Sequence, residues 1–171
     1  MPSTHGRRNL RLRRWDYSRD GAYFITISTV QNADLFGQVV RGEMRLNAVG
    51  TIVAESWFWL GSRYSHVTLD DWSVLPNHMH GILILTTRGA PVETSGSSGS
   101  SRPSRKPVGR LVGAFKTRST KHVNLLRQMP GAPLWQRDFW DHVIRDEFEL
   151  ARIREYIRGN AAAYRPRTYT L

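Results

Sequence analysis

Two strand-like segments separated by a Pro-Asn dipeptide constrain the fold more than any other feature of this sequence. Val67 to Leu75 and Met79 to Leu85 have strand-like composition, and Pro76-Asn77 forms the short turn between them. Two such runs joined by so short a turn predict adjacent strands. The chain is therefore expected to be built around a sheet.

The remaining segments predict further strands and three helices. Strands are expected at 23–30 and 135–144, with a small hairpin at 36–46 that turns at Arg41-Gly42-Glu43. Asn47 is placed to cap a first helix, Val108 to Phe115 carries core spacing for a second, and a third is expected from about 146 to 159. The β–α–β, β–α–β order predicts an α+β fold, a ferredoxin-like split βαβ sandwich with an antiparallel sheet and helices packed on it.

The charge balance indicates the kind of partner. The 171 residues include 25 Lys and Arg against 14 Asp and Glu, a net charge of +11, and arginines far outnumber lysines. Such a surplus favours a polyanion, and the planar guanidinium suits phosphates and bases, so nucleic acid is the expected partner. The chain has no cysteine, which excludes disulfide and thiolate chemistry. No apolar run approaches the length of a membrane span, and a cytoplasmic, nucleoid-associated location is expected.

One domain is predicted, with less regular flanks. Residues 1–20 form a basic N-terminal arm, 21–165 the single domain, and 166–171 a C-terminal tail. Residues 88–107 change to Ser, Gly, Pro, Arg and Lys, which is typical of a flexible surface loop.

Two histidines open the second of these strands. On a strand, alternate side chains point to one face, so His78 and His80 project together and can chelate one divalent ion. A lone His-x-His pattern is common by chance, and two polar residues facing water would also explain it. Placing two imidazoles at the start of a wholly apolar strand is costly unless something pairs with them, which favours the metal.

A stripe of polar residues follows the last predicted helix. Arg152, Tyr156 and Asn160 are each four residues apart and so lie along one side of it. An amphipathic tyrosine with its hydroxyl in water is the ordinary explanation. A phenol, with a pKa of about 10 in water, is a poor nucleophile at neutral pH unless a metal, base or cation stabilises the phenolate. The histidine pair would supply that stabilisation.

These motifs resemble a known family. His78-Met79-His80, within Leu-Pro-Asn-His-Met-His-Gly-Ile, resembles the His-hydrophobic-His signature of the HUH single-strand nucleases. The surrounding segments are similar to those of the REP-associated tyrosine transposases, relatives of the single-tyrosine, IS200-like transposases. They are Gly-Ala-Tyr-Phe-Ile-Thr-Ile at 21–27, Gly-Glu-Met-Arg-Leu-Asn at 42–47, Val-Gly-Ala-Phe-Lys-Thr at 112–117, the segment from Leu134 to Glu147, and Tyr-Ile-Arg-Gly-Asn at 156–160.

The resemblance implies a metal-dependent enzyme that cleaves and rejoins single-stranded DNA at REP-like hairpins. His78 and His80 would hold Mg²⁺ or Mn²⁺, Asn160 would be a third ligand, and Tyr156 would attack the phosphate to give a 5′-phosphotyrosine and a free 3′-OH. The family usually follows its asparagine with proline, whereas Ala161-Ala162-Ala163 stands here. The helix can therefore run on past Asn160, which changes how that side chain is aimed.

Further residues are expected to contact DNA. Candidates for phosphate contacts are Arg11, Arg13, Arg14, Lys116, Arg118 and Arg152. Trp72, Trp135 and Trp140 are alternatively core residues or stacking platforms for unpaired bases, and His142 is alternatively structural or close to the active site. A non-catalytic module of the same fold that binds DNA or structured RNA is the alternative function. A monomer in which Tyr156 serves its own histidines is expected, with a homodimer as the alternative.

Overall fold

Six strands, three α-helices and a short 3-10 helix (Val30–Asn32) account for the regular structure of the residues described by a computed structural model, which are residue 16, residues 18–86 and residues 107–165. The predicted arm at 1–20 and loop at 88–107 lie almost entirely outside these ranges, and the tail at 166–171 lies wholly outside them. The elements in chain order are β1 (Gly21–Ser28), β2 (Gly37–Val40), β3 (Glu43–Leu46), α1 (Ala48–Arg63), β4 (Val67–Leu75), β5 (His78–Leu85), α2 (Val108–Arg127), β6 (Trp140–Ile144) and α3 (Glu147–Ala163).

The main sheet confirms the predicted fold class. Its order is β4-β5-β1-β6 and every neighbouring pair is antiparallel, while β2 and β3 form a separate hairpin. Along the chain the sheet strands and the first two helices follow the order β1–α1–β4–β5–α2–β6, which is the split βαβ arrangement. Among the described residues, no helix combines the length and apolar character that crossing a membrane requires.

The two faces of the sheet carry different cores. Tyr23, Ile25 and Met79 point towards α1 and α2, where they join the larger cluster of buried residues. The intervening residues Phe24 and Ile82 point the other way and are buried under α3, with Ile144, Leu150 and Ile157. Because side chains alternate along a strand, this second face is also the face of His78 and His80.

Gly81 lies directly against a side chain of helix α1. A Cβ on Gly81 would lie 2.3 Å from Cζ2 of Trp57, whose indole is fully buried. The indole in turn packs edge-on against Phe115 of α2, with ring centroids 5.6 Å apart. Only glycine leaves room for this ring beside the strand that carries the histidines.

A bulge in β4 ties α3 to the sheet. The register between β4 and β5 shifts by one residue between Leu69 and Trp72, a local break that re-aims side chains. Asp70, inside the bulge, accepts two hydrogen bonds from the Arg154 guanidinium, at 2.9 and 2.6 Å. The Arg154 hydrogen bonds hold the pKa of Asp70 below its usual value, in opposition to burial. The partly buried Asp71 forms an ion pair with the exposed Arg158 at 2.7 Å, so two consecutive carboxylates hold the helix.

The predicted boundaries differ most from the structure at two elements, while β1, expected at 23–30, lies two residues earlier. The strand expected at 135–144 begins only at Trp140, and Trp135 makes an isolated bridge with Thr29. The carbonyls of residues 136–138 instead accept hydrogen bonds from the Lys116 ammonium, so they do not pair with a neighbouring strand. The last helix continues through Ala163 instead of ending near 159, as the missing proline allows. The cap by Asn47 is confirmed, since its side chain accepts a hydrogen bond from the Gly50 N–H at 3.0 Å.

Candidate active site

His78 and His80 lie side by side on the α3 face of the sheet. Their ring centroids are 4.8 Å apart, with planes inclined at 79°. β5 places them there because Met79, between them, points into the opposite core and is almost fully buried. The alternation predicted from the sequence therefore brings the two imidazoles together.

Each imidazole is held by its Nδ1 atom. Nδ1 of His80 lies 2.8 Å from the Thr26 hydroxyl on the neighbouring strand β1. Nδ1 of His78 lies 2.6 Å from Oδ1 of Asn77, and because an amide oxygen only accepts, this nitrogen donates the proton. Nε2 of His78 therefore carries the lone pair. Within the described part of the chain, Nε2 of His80 is buried and has no hydrogen-bond partner. Such an arrangement suits a divalent cation, because ligating histidines are commonly oriented through their other ring nitrogen.

Burial keeps both imidazoles neutral. It lowers the pKa of His80 to about 3, and the neighbouring His78 acts in the same direction. Burial also lowers the pKa of His78, although the negative charge of Asp34 opposes the shift. A neutral ring with a free lone pair is the form that ligates a metal, so the pair needs no deprotonation near neutral pH.

Tyr156 faces this pair from α3. Its ring centroid is 5.4 Å from that of His80, and it packs edge-on against Phe24 at 6.1 Å. The helix is fixed in this position by the buried side chains of Leu150 and Ile157. Tyr156 is nevertheless 53% exposed, so that one side of the ring rests on the site and the other is open to a large substrate.

Asn160 lies between two tyrosines that contact the histidines. Tyr156, one turn before it, packs on His80, and Tyr164, one turn after it, lies with its ring centroid 6.4 Å from that of His78. Residues four apart share one side of a helix, so the Asn160 amide is held on the side of the pair. Among the described residues, its Nδ2 is one of the few buried side-chain atoms that have no hydrogen-bond partner. Half a turn of the amide exchanges Nδ2 with Oδ1, the atom that would ligate a metal.

The donors available to a divalent ion are thus two imidazoles and one amide. In the ranges that the structure describes, no group of three or more His, Cys, Asp or Glu residues comes together. A nitrogen- and amide-rich set fits a borderline divalent ion and leaves positions for water or a phosphate oxygen. The residues present therefore fit a divalent ion, whose identity as Mg²⁺ or Mn²⁺ stays a prediction.

Nucleophile candidate and histidines belong to one continuous unit. β6 pairs with β1, which pairs with β5, the strand of the histidines. Only Arg145 and Asp146 lie between the end of β6 and the start of α3, and Asp146 caps the helix through the Glu149 N–H. Tyr156 is therefore anchored next to the histidines of its own chain.

The predicted phosphate contacts have different environments. The Lys116 ammonium is half-buried and donates to the carbonyls of residues 136, 137 and 138 at 2.9–3.1 Å, and burial lowers its pKa. These three bonds use all its donors, which favours a role in shaping that segment. The Arg118 guanidinium stacks over Trp59 at 4.9 Å, and Arg152 is exposed on α3. Arg11, Arg13 and Arg14 lie outside the described residues.

A shallow groove of about 480 Å³ forms a second concave surface, between α2 and residues 133–137. Lys121 and Arg137 are among the residues that line it, whereas the histidines and Tyr156 are not. Cations of this kind suit a phosphate backbone.

The three predicted stacking tryptophans differ in exposure. Trp135 is buried, and its indole donates to the Ser119 hydroxyl at 2.9 Å. Trp72 packs edge-on against Phe58 of α1, on the face away from Tyr156. Trp140 is 40% exposed and lies edge-on to Phe24, beside the site. His142 is also on this face and bonds to Glu149 at 2.7 Å.

Sequence reasoning missed the residues that orient the histidines. Asn77 directly precedes His78, so its proximity was visible in the sequence. Thr26 is opposite His80 only through the β1–β5 register, and no local pattern reveals that. Tyr164, whose hydroxyl donates to Asp34 at 3.0 Å, continues the four-residue spacing of the α3 stripe and was detectable by extending it.

Comparison with known proteins finds relatives both in sequence and in structure. An uncharacterised protein of Haemophilus influenzae is 30% identical over 161 residues, which cover 91% of this chain and 88% of the relative. A REP-associated tyrosine transposase, solved bound to a REP hairpin, has a TM-score of 0.57 at 20% identity over 88% of this chain and 72% of its own. A proposed transposase from Deinococcus radiodurans R1 has a TM-score of 0.50 at 15% identity over 85% and 93%. The sequence matches no protein-family model.

Proposed function

The chain belongs to the same family as its Haemophilus influenzae relative and has the fold of the REP-associated tyrosine transposases, and on this premise we propose that it cleaves and rejoins single-stranded DNA. Tyr156 is the proposed nucleophile, and His78, His80 and Asn160 are the proposed ligands of Mg²⁺ or Mn²⁺. The substrate is proposed to be a DNA hairpin with unpaired flanks.

One observation carries this proposal: a half-exposed tyrosine ring lies 5.4 Å from a buried, neutral imidazole that has an unpartnered Nε2. A buried polar atom without a partner costs free energy, which a ligand would recover. An exposed tyrosine alone would suggest nothing, and two histidines alone would suggest only a metal. Their juxtaposition supports a phenol that acts beside a cation.

The bound ion would act as a Lewis acid, polarising the scissile phosphate and stabilising the phenolate. The protein's own groups do the rest. Thr26 and Asn77 fix the rings of His80 and His78, burial keeps both rings uncharged, and α3 holds the Tyr156 hydroxyl at the open side of the site. Because the helix is held by a buried core and by Asp70, the nucleophile needs little reorganisation to attack.

The proposed step exchanges one ester for another. The Tyr156 oxygen forms a bond to phosphorus while the bond from phosphorus to the 3′ oxygen breaks. The phenol loses its proton and the departing 3′ oxygen gains one. The products are a 5′-phosphotyrosine and a free 3′-OH. The ester bond is conserved, so a 3′-OH can reverse the step and rejoin strands without a nucleotide cofactor.

The test is covalent capture of labelled DNA. Wild-type protein with Mn²⁺ is incubated with a synthetic hairpin that copies the palindromic repeat nearest its gene, and the products are separated under denaturing conditions. A label at the 3′ end should migrate with the protein, because the downstream fragment stays attached through its 5′ phosphate. A 5′ label should appear in a shortened free fragment.

Two matched tyrosine variants make the assignment specific. Tyr156→Phe should abolish the adduct and leave hairpin binding nearly intact. Tyr164→Phe should retain the adduct, since that hydroxyl is engaged by Asp34. If only Tyr164→Phe lost the adduct, the nucleophile would be Tyr164, and the assignment to Tyr156 would be wrong. Hairpin binding without any adduct in the wild type would reject the enzyme and leave the non-catalytic binding module.

A further inference from the structure

Trp140 is a partly exposed tryptophan beside the candidate active site, with 40% of its surface accessible. It is the first residue of β6, an edge strand of the sheet, and pairs with Thr26, the residue that holds His80. Phe24 separates it from the nucleophile, because that ring is edge-on to Trp140 at 5.5 Å and to Tyr156 at 6.1 Å. A single phenyl ring therefore lies between the indole and the proposed nucleophile.

The indole is supported from within the protein. His142, two residues along β6, lies parallel to it, with planes at 5° and centroids 5.8 Å apart. The imidazole is fixed in turn by Glu149, whose Oε1 lies 2.7 Å from its Nε2. The other oxygen of Glu149 accepts from the Arg145 N–H at 2.8 Å. This backbone hydrogen bond, with the one to His142, keeps the pKa of Glu149 below its usual value.

This support is more than core packing requires. A large indole that is 40% exposed contributes less to the fold than a buried one, yet a chain of two polar residues holds its orientation. Rigid, pre-oriented aromatic surfaces bind with little loss of conformational entropy. A planar ligand that stacks on the accessible part of the indole would gain from this preorganisation.

We propose that Trp140 stacks one unpaired base of the DNA next to the phosphate that Tyr156 attacks. The inference rests on the proposed function and adds to it the position of a neighbouring nucleotide. Exposed arginines on nearby segments, Arg137 before β6, Arg145 after it and Arg152 on α3, supply the charge for the adjoining phosphates. Aromatic stacking between cationic groups is the usual way in which proteins hold single strands. His142 and Glu149 are positioning residues for the indole.

The test combines protein variants with an abasic scan of the DNA. Hairpin binding is measured in a Tyr156→Phe background, so that no cleavage intervenes, while each unpaired flank nucleotide is replaced in turn by an abasic site. With Trp140 present, one position should weaken binding roughly 5- to 150-fold. Trp140→Ala should lose a comparable factor on intact DNA and lose nothing further at that position.

Controls separate stacking from folding. Phe148→Ala removes another exposed aromatic, 79% exposed and on the outer side of α3, and should leave the abasic profile unchanged. Trp140→Tyr should again show weaker binding when the abasic site is at that position. Trp140→Leu, which keeps apolar bulk without an aromatic ring, should not. His142→Ala should weaken the same position, and His142→Phe, which retains a ring beneath the indole, should recover it.

The outcomes distinguish this inference from the proposed function. An abasic profile that is flat with Trp140 present, or unchanged by Trp140→Ala and Trp140→Leu, overturns the stacking site even if the adduct forms. A profile that depends on Trp140, without an adduct in the wild type, supports the stacking site and rejects the nuclease.

Discussion

The substitution Gly81→Ala is expected to destabilise the protein through a single steric contact. The added Cβ would lie 2.3 Å from Cζ2 of Trp57, 2.9 Å from Cη2 and 3.0 Å from Cε2. Ordinary carbon–carbon contacts are about 3.5–4.0 Å, so the ring or the strand must move by about 1.2 Å or more. The indole is fully buried and backed by Phe115, which leaves it little freedom to yield.

Overpacking of this kind costs about 1–3 kcal/mol of unfolding free energy. For a domain of this size the midpoint of thermal unfolding should fall by roughly 2–12 °C. Because Gly81 follows His80 directly, any displacement of β5 also moves that imidazole relative to Tyr156. Covalent capture should therefore weaken at temperatures where the variant is still folded.

Two further variants test whether the contact is the cause. Gly113→Ala, in α2, meets nothing within 4 Å and should stabilise the protein by about 0.5–1 kcal/mol through helix propensity. Trp57→Phe removes the atoms that clash, so Gly81→Ala should cost less in that background, with a coupling of about 1–2 kcal/mol. Denaturant unfolding measures both. Additive effects, or a Gly81→Ala protein within about 0.5 kcal/mol of wild type, would refute the steric argument.

Three further predictions concern other parts of the fold. Lys116→Met should cost about 1–3 kcal/mol, because three carbonyls lose their donor, and hydrogen exchange should show faster opening of residues 134–139 specifically. Asn47→Ala should cost about 1 kcal/mol in thermal unfolding, through loss of the α1 cap. Because Arg154 lowers the pKa of Asp70 below 3.8, the ion pair stabilises the fold above that pH and loses its effect as the pH falls through the lower, folded-state value. Acid titration of stability should therefore show wild type more stable than Asp70→Asn near neutral pH, with the difference disappearing below pH 3.8; a constant difference would contradict the assignment.

The parts of the site that sequence predicts well are those set by short-range periodicity. His78 and His80 share a face because strand side chains alternate, and Arg152, Tyr156 and Asn160 share a side because a helix repeats every 3.6 residues. Both patterns are complete within a few residues. The fold class followed in the same way from the order of the segments.

The features that the sequence did not predict depend on contacts between segments that are distant along the chain. Thr26 reaches His80 across 54 residues of sequence, and the Lys116 ammonium ends the β6 ladder from 20 to 22 residues away. The β4 bulge that turns Asp70 towards α3 has no local signature. For the same reason the sequence did not show which tryptophan is exposed. Trp140 is exposed because it lies on an edge strand.

The two-residue link between β6 and α3 has a consequence for genetics. In this structure the two-residue link holds the helix that bears Tyr156 over the histidines of its own sheet, so we expect each copy to carry a complete site. A copy that lacks the nucleophile and a copy that lacks a histidine should therefore be unable to complement each other. A Tyr156→Phe allele and a His80→Ala allele, expressed together in one cell, should not restore adduct formation, whereas one intact allele should be sufficient beside either.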